Sequence, residues 1–335
     1  MANMKNLLLI TLFIILPNVS HASEVCSCIH HVTPEEAYHE FPAIFSAHVH
    51  KYTHPGAVLK IDKVWKGISN KEFLDVRNTT ICGYGALNAQ KYLLYAYPIK
   101  DKNNLELYDI IGCNPSKPLD EARIDLQYLD ALVAEKNTEL INQSLPRILS
   151  DTKEKNKVRL QAAKIIDVVI HKSMGKEIPE GTVEALLKAA KADDPELRGQ
   201  IVFSLGTYYF RERKDVHDAL IQFLNSDNIH IRHAAAASLE DAQISNSNIF
   251  NALVLSFNQV QEKGRDGWNL NKTKDYADPY KNILAKYCLA IAENAKTKEN
   301  KSKAIDLILS VTKEIDGNRL ESDVRKKLKK LQKGM

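Results

Sequence analysis

The stretch Ala185-Leu186-Leu187-Lys188-Ala189-Ala190-Lys191-Ala192-Asp193-Asp194-Pro195-Glu196-Leu197-Arg198 returns 34 residues later as Ala219-Leu220-Ile221-Gln222-Phe223-Leu224-Asn225-Ser226-Asp227-Asn228-Ile229-His230-Ile231-Arg232. Each copy holds an apolar run at helical spacing, a turn marked by Asp or Asn, and an apolar-Arg step that opens a second run rich in small residues. Self-similarity at this period marks an array of helix pairs, because one pair cannot bury its apolar face alone and needs a neighbour to stack upon. Within this scheme Ala234-Ala235-Ala236-Ala237 is a close-packing surface rather than a low-complexity tract.

Val158-Arg159, followed by Ala162 and Ala163, is an earlier copy at a looser spacing. The pattern resembles HEAT repeats, whose second helix opens with an apolar-Arg step after a turn that holds an Asp. The resemblance covers three units from about Asp151 to Ala242, with helical stretches on either side expected to complete the stack. It implies that Arg159, Arg198, Arg232, Asp193 and Asp227 tie adjacent turns together. The helical period runs from about Asn137 to the end of the chain, which places an all-α solenoid over residues 136–335. Lys263 to Pro279, with Gly264, Gly267, Trp268 and Asp275, reads as a long inserted loop. The last helix keeps Leu320, Val324, Leu328 and Leu331 on one face, as a capping helix with a polar outer side requires. Its lysines are also a candidate for contact with an anionic membrane surface.

Towards the N-terminus the period changes. Ala43–His50, Ala57–Trp65, Phe73–Arg77, Tyr92–Tyr97 and Leu105–Ile111 are five strand candidates separated by Gly, Asn, Pro or Lys-rich breaks, which suggests a small barrel or sandwich. Thr33-Pro34-Glu35-Glu36 opens a short helix before them, with Thr33 as cap, Pro34 at the first helical position and Glu36 closing a capping box. A second helix is expected from Leu119, with Leu119, Ala122, Leu126 and Leu129 on one face.

At the start of the chain, Lys5 precedes a run from Leu7 to Leu16 that is apolar but for Thr11, and Ser20-His21-Ala22 follows Pro17. This is the pattern of a secretory signal peptide over residues 1–22, so an extracytoplasmic location, periplasmic or secreted, is expected. The apolar run is too short for a comfortable membrane span. What remains exceeds what one hydrophobic core usually holds, and residues 23–135 and 136–335 form two expected domains. The formal net charge of +4 gives no reason to invoke nucleic acid.

An extracytoplasmic compartment permits disulfides. Cys26, Cys28, Cys82 and Cys113 lie in the β half; four cysteines allow three pairings, and spacing does not choose among them. Cys288 stands apart on an apolar helical face and reads as a buried free thiol. The order Cys26-Ser27-Cys28, Phe45 and Val49, Val64-Trp65-Lys66-Gly67, Cys82-Gly83, Tyr92-Leu93-Leu94-Tyr95 and Cys113 resembles the N-terminal domain of tissue inhibitors of metalloproteinases and the related netrin-like domains. The resemblance spans about Cys26 to Leu129. It implies a five-stranded OB-type barrel with packed helices, disulfides Cys26–Cys82 and Cys28–Cys113, and a protease-contact edge made of Cys26, Ser27, Cys28, Ile29, Thr80, Ile81 and Cys82, with a metalloprotease as partner. In that family the first cysteine is the mature N-terminus, and its free amine chelates the zinc of the target. Here the expected cut after Ala22 leaves Ser23-Glu24-Val25 ahead of Cys26, which turns that amine into an amide, a very poor metal ligand.

Other chemistry has less support. His30, His31, His39, His48, His50 and His54 crowd together, and His48 with His50 would share a strand face suited to copper, nickel or zinc. His39-Glu40 lacks a second histidine at helical spacing, and Pro42 breaks the helix that a zinc-protease motif needs. There is no GxSxG, phosphate loop, dinucleotide glycine pattern or CxxC pair, and Glu35-Glu36 suits a helix N-terminus. The expectation is a non-enzymatic protein without a cofactor that binds other proteins through its solenoid and barrel. Protease inhibition and metal binding are the alternatives.

Overall fold

The computed structural model describes residues 33–335 except 55, 70, 78–79, 82–84, 89, 101–105, 111–114, 177, 211, 242–246 and 271–277. Helix α1 (Pro34–Glu40) begins as the sequence predicts. The Thr33 hydroxyl accepts from the Glu36 backbone N–H at 3.2 Å, and the Glu36 carboxylate accepts from the Thr33 N–H at 2.8 Å. The strands are β1 (Ala43–Tyr52), β2 (Ala57–Lys66), β3 (Phe73–Val76), the short pair β4 (Thr80–Ile81) and β5 (Gly85–Ala86), β6 (Lys91–Lys100), β7 (Glu106–Asp109) and β8 (Lys117–Pro118).

Five of these close a barrel in the order β1-β2-β3-β7-β6, with β6 pairing back onto β1. They coincide with the five candidate runs. All ladders are antiparallel except β3–β7, joined in parallel at Val76 and Tyr108. Irregularities in the β1–β2 register at Ile44/Phe45, Ser46/Ala47 and Val49/Lys51 bend the first strand, which lets it pair on both sides and shut the sheet. Alternation along β1 and β6 then serves two cores. Phe45, Ala47, Leu94 and Ala96 point inward with Leu59, Val76 and Tyr108, while Ile44, Leu93 and Tyr95 point outward under Ala37, Phe41, Ala122 and Leu129. Gly67 ends β2 at φ +73°, where a Cβ would stand 1.8 Å from the carbonyl oxygen of Pro42.

The helix expected from Leu119 starts later. A 3-10 turn spans Leu119–Glu121, and α2 runs from Arg123 to Val133 after Ala122, whose side chain makes no cap bond. Its apolar face is the expected one. Ala122 and Leu129 are fully buried against the barrel, with Leu119 and Leu126 beside them.

Five helix pairs follow among the described residues: α3 (Glu139–Ser150) with α4 (Asn156–Lys172), α5 (Thr182–Ala189) with α6 (Pro195–Leu205), α7 (Lys214–Phe223) with α8 (Ile229–Asp241), α9 (Ser247–Gly267) with α10 (Pro279–Asn294), and α11 (Lys298–Val311) with α12 (Glu321–Lys333). The first helices touch in sequence from α3 to α9, and the second helices α4, α6, α8, α10 and α12 stack in sequence behind them. One apolar core runs through all five pairs. The 34-residue repeat is the step from α5–α6 to α7–α8. Ala235 and Ala236 are buried as its close-packing surface, and a Cβ on Gly206 would meet the Ser238 Cβ at 2.1 Å.

Of the segment expected to be a long loop from Lys263 to Pro279, residues 263–267 form the end of α9, 268–269 make a turn, and 271–277 lie outside the described residues. Phe257 and Val260 keep α9 docked on the core, and the chain continues to Gly267 across a kink at Gly264, whose φ of +62° a glycine adopts without steric cost. Asp275 lies outside the described residues.

Candidate functional site

Helix α2 joins the two halves because it is apolar on two sides. Ala122 and Leu129 belong to the barrel core, whereas Ile124 and Tyr128 belong to the solenoid core. Between these faces sits Asp125, 1% exposed. Its carboxylate accepts from Lys117 Nζ at 3.1 Å to each oxygen, from the Tyr95 hydroxyl at 3.5 Å, and from the Gln161 side-chain amide of α4. Burial first, and the Asp125 charge second, push the Tyr95 phenol well above its ordinary pKa, so it stays a donor. A buried carboxylate is tolerated only when its lone pairs are filled, and here β6, the residue pair of β8 and α4 fill them together.

Around this centre the rim is ionic. Arg123 pairs with Glu154, Lys155 with Asp120 at 2.5 Å, and Lys172 with Glu36, while the Thr138 hydroxyl donates to Glu35 at 3.3 Å. A cleft of about 130 Å³ opens beside it, lined by Lys117, Glu121, Lys157, Leu160, Gln161, Lys164 and Glu196. Burial holds the Lys164 ammonium below its usual pKa, partly offset by Glu196. Three lysines there face Glu121, Asp125 and Glu196, so the cleft has no surplus charge for an anionic ligand.

The repeat arginines do structural work. Arg159 donates from Nε to the Leu149 carbonyl at 2.9 Å and from Nη1 to Asn156 at 3.1 Å, closing the turn of the first pair. Arg198 lies over the Phe223 ring of the next pair at 5.7 Å. Arg232 donates to the Ser226 carbonyl in its own turn, then to Gln259 at 2.7 Å and Ser256 at 3.3 Å on α9, and stacks 5.3 Å from Trp268. The acidic half of the expected ladder is displaced by one residue. Asp193 and Asp227 are exposed; the caps are Asp194, which accepts from the Leu197 N–H at 2.9 Å, and Asn228, which accepts from the His230 N–H at 2.9 Å. Only the residue at the N-cap position can reach the free N–H groups of the first turn, which is why the neighbour one place earlier does not serve.

Sequence reasoning missed a third cap of this kind. Asp278-Pro279 repeats Asp194-Pro195, and the Asp278 side chain accepts from Tyr280 and Lys281 N–H at 3.0 and 3.2 Å. Burial alone would raise its pKa, but the Arg265 guanidinium at 2.8 Å and the backbone donors lower it. Trp268, expected within a long inserted loop, lies under Lys263 at 3.7 Å and packs onto the core.

In the barrel, His48 Nδ1 stands 3.3 Å from Asp62, which also takes Lys91 at 3.1 Å, and the His50 ring packs against Phe73 with centroids 4.8 Å apart. The structure brings the two histidines to no third ligand, since no three His, Cys, Asp or Glu side chains converge on a metal position among the described residues. Of the expected protease-contact edge, Thr80 and Ile81 form β4; Cys26, Ser27, Cys28, Ile29 and Cys82 lie outside the described residues, as does Cys113. Both expected disulfides, Cys26–Cys82 and Cys28–Cys113, therefore fall outside them too. Cys288 is free and buried, and burial pushes its thiol up to about 12, which leaves it inert at neutral pH. No described helix is long and apolar enough to cross a membrane.

Residues 183–249, spanning the second and third pairs, match the family model of HEAT repeats. No curated protein matches the chain in sequence. Among solved structures, the crystal structure of an engineered protein is similar over 64% of this chain and 97% of its own, at 14% identity and a TM-score of 0.40.

Proposed function

We propose that the chain is an extracytoplasmic, non-catalytic protein-binding scaffold in which an OB-type barrel is carried by a HEAT-type solenoid. The OB assignment is supported by the closed order β1-β2-β3-β7-β6 with its one parallel pair. HEAT repeats generally mediate protein–protein contact, and stacked helix pairs present an extended surface on which a partner can lie.

The observation that carries the proposal is the docking of the barrel onto the first helix pair through α2 and Asp125. It gives two binding-competent modules one fixed spacing, as a scaffold needs. Exposed large apolar side chains are available on both helix layers, Phe203 at 51% on α6 and Leu255 at 55% on α9. A photoreactive phenylalanine analogue at each position tests this in cells. The expected outcome is a discrete adduct from one layer and none from the other; no adduct from either position would sink the scaffold reading.

The N-terminus has its own test. Sequencing of the mature chain is expected to start at Ser23, with Cys26–Cys82 and Cys28–Cys113 recovered by non-reducing peptide mapping. A chain that starts at Cys26 would instead favour metalloprotease inhibition through the Cys26–Cys82 edge.

A further inference from the structure

The positive charge of the chain is not spread along it. From Lys296 to Met335 twelve Lys and Arg face six Asp and Glu, whereas the whole chain carries a net formal charge of only +4. The surplus is therefore concentrated in the terminal helix pair. Within α12 it is concentrated again. The acids Glu321 and Asp323 lie in the first turn, and no acid follows them.

Spacing puts the lysines on one side. Lys326, Lys329, Lys330 and Lys333 follow the pattern i, i+3, i+4, i+7, so they form a single stripe along the helix. Val324 and Leu331, buried in the solenoid core, occupy the opposite side. All four lysines are exposed. Lys326 pairs with Asp323 at 3.1 Å, and Lys329, Lys330 and Lys333 make no ion pair among the described residues. Lys327, off the stripe, is taken by Glu293.

A capping helix needs a polar outer face, and cations in its last turn suit the helix dipole. Neither requirement excludes acids from the outer face, and mixed charge serves solubility as well. We propose that this stripe is a docking surface for an anionic lipid bilayer, with the lysine ammonium groups facing lipid phosphates. A flat row of like charges with no aromatic anchor in its midst matches a planar charged surface. A protein partner would normally require a desolvated apolar or Arg centre. The apolar side of α12 is already committed to the core, so the contact is peripheral and electrostatic rather than inserted, and it weakens as salt rises.

Co-sedimentation of the full mature chain with phosphatidylcholine vesicles, with and without phosphatidylglycerol, tests the assignment. Binding is expected only to the anionic vesicles and only at low to moderate salt. The triple variant Lys329→Glu, Lys330→Glu, Lys333→Glu, checked by circular dichroism for an unchanged fold, is expected to bind roughly tenfold or more weakly. Equal binding by this variant, or equal binding to neutral vesicles, overturns the proposal. So does a chain that ignores anionic vesicles yet binds immobilised polyglutamate, an outcome that would give the stripe to an acidic protein.

Discussion

In the barrel, Phe45 is buried because β1 finds Val64 on one side and Leu94 on the other, partners that lie far apart in the chain. In the solenoid, Leu197 is buried by helices of its own and adjacent pairs. The first arrangement exists only when the last pairing closes the sheet. The second grows one pair at a time. A local fault should therefore propagate through the barrel and stay near its origin in the solenoid, except at the junction where the two are joined.

The junction carries the largest expected effect. Asp125→Ala leaves Lys117, whose side chain is 15% exposed, without its counter-ion, and should cost about 3–5 kcal/mol. Calorimetry is expected to give one transition for the parent and two for the variant; a single transition at an unchanged temperature in the variant would contradict the coupling. Next come two close-approach glycines, one from each half. Gly67→Ala combines a positive φ with a collision against a backbone carbonyl and should destabilise by about 3 kcal/mol. Gly206→Ala, at ordinary φ, meets the Ser238 Cβ at 2.1 Å and its backbone Cα at 2.7 Å and should destabilise by about 2 kcal/mol. Urea unfolding that ranked them in the reverse order would remove the contrast between closed and open architectures.

A smaller, pH-dependent effect belongs to the solenoid. His233 on α8 is driven down to about 4 by burial first, then by Lys286, His230 and Arg319. Its folded pKa lies below the unfolded value of 6.5, so the unfolded chain takes up the proton first as the medium is acidified. The contribution is whole above pH 6.5, falls as pH drops towards 4, and reaches at most ~3 kcal/mol. His233→Leu should flatten this part of the stability profile, measured as the difference in urea midpoint between neutral pH and pH 4.5. The smallest effect is Thr33→Ala, which removes one half of the capping box of α1 and should cost about 1 kcal/mol. An amide-exchange experiment is expected to show α1 opening locally while the protection of β1 is unchanged.

Much of this was legible in the residues. The five strands were visible because period-2 runs were separated by turn residues, and the α1 cap because Thr33, Pro34 and Glu36 stand at fixed offsets. Helix pairing was visible in the 34-residue repeat. Asp193 and Asp227 were expected to tie adjacent turns together, but the side chains that bond in those turns are Asp194 and Asn228, because two neighbouring polar residues look equivalent until the first helical turn fixes which one faces its N–H groups. Trp268 was expected in a loop because Gly264 and Gly267 suggested one. Its stacking between Arg232 and Lys263 depends on a neighbour in another pair and has no local signature.

By itself, then, the sequence determined what depends on local period: strands first, helix pairs after, lysines on one side of the last helix, a cysteine on an apolar face. Tertiary structure alone decided what depends on which elements meet. The return of β6 onto β1, the parallel step from β3 to β7 and the burial of Asp125 among Lys117, Tyr95 and Gln161 all join distant positions. Nothing at those positions announces the partner, because a polar or apolar side chain is the same residue until packing decides what surrounds it.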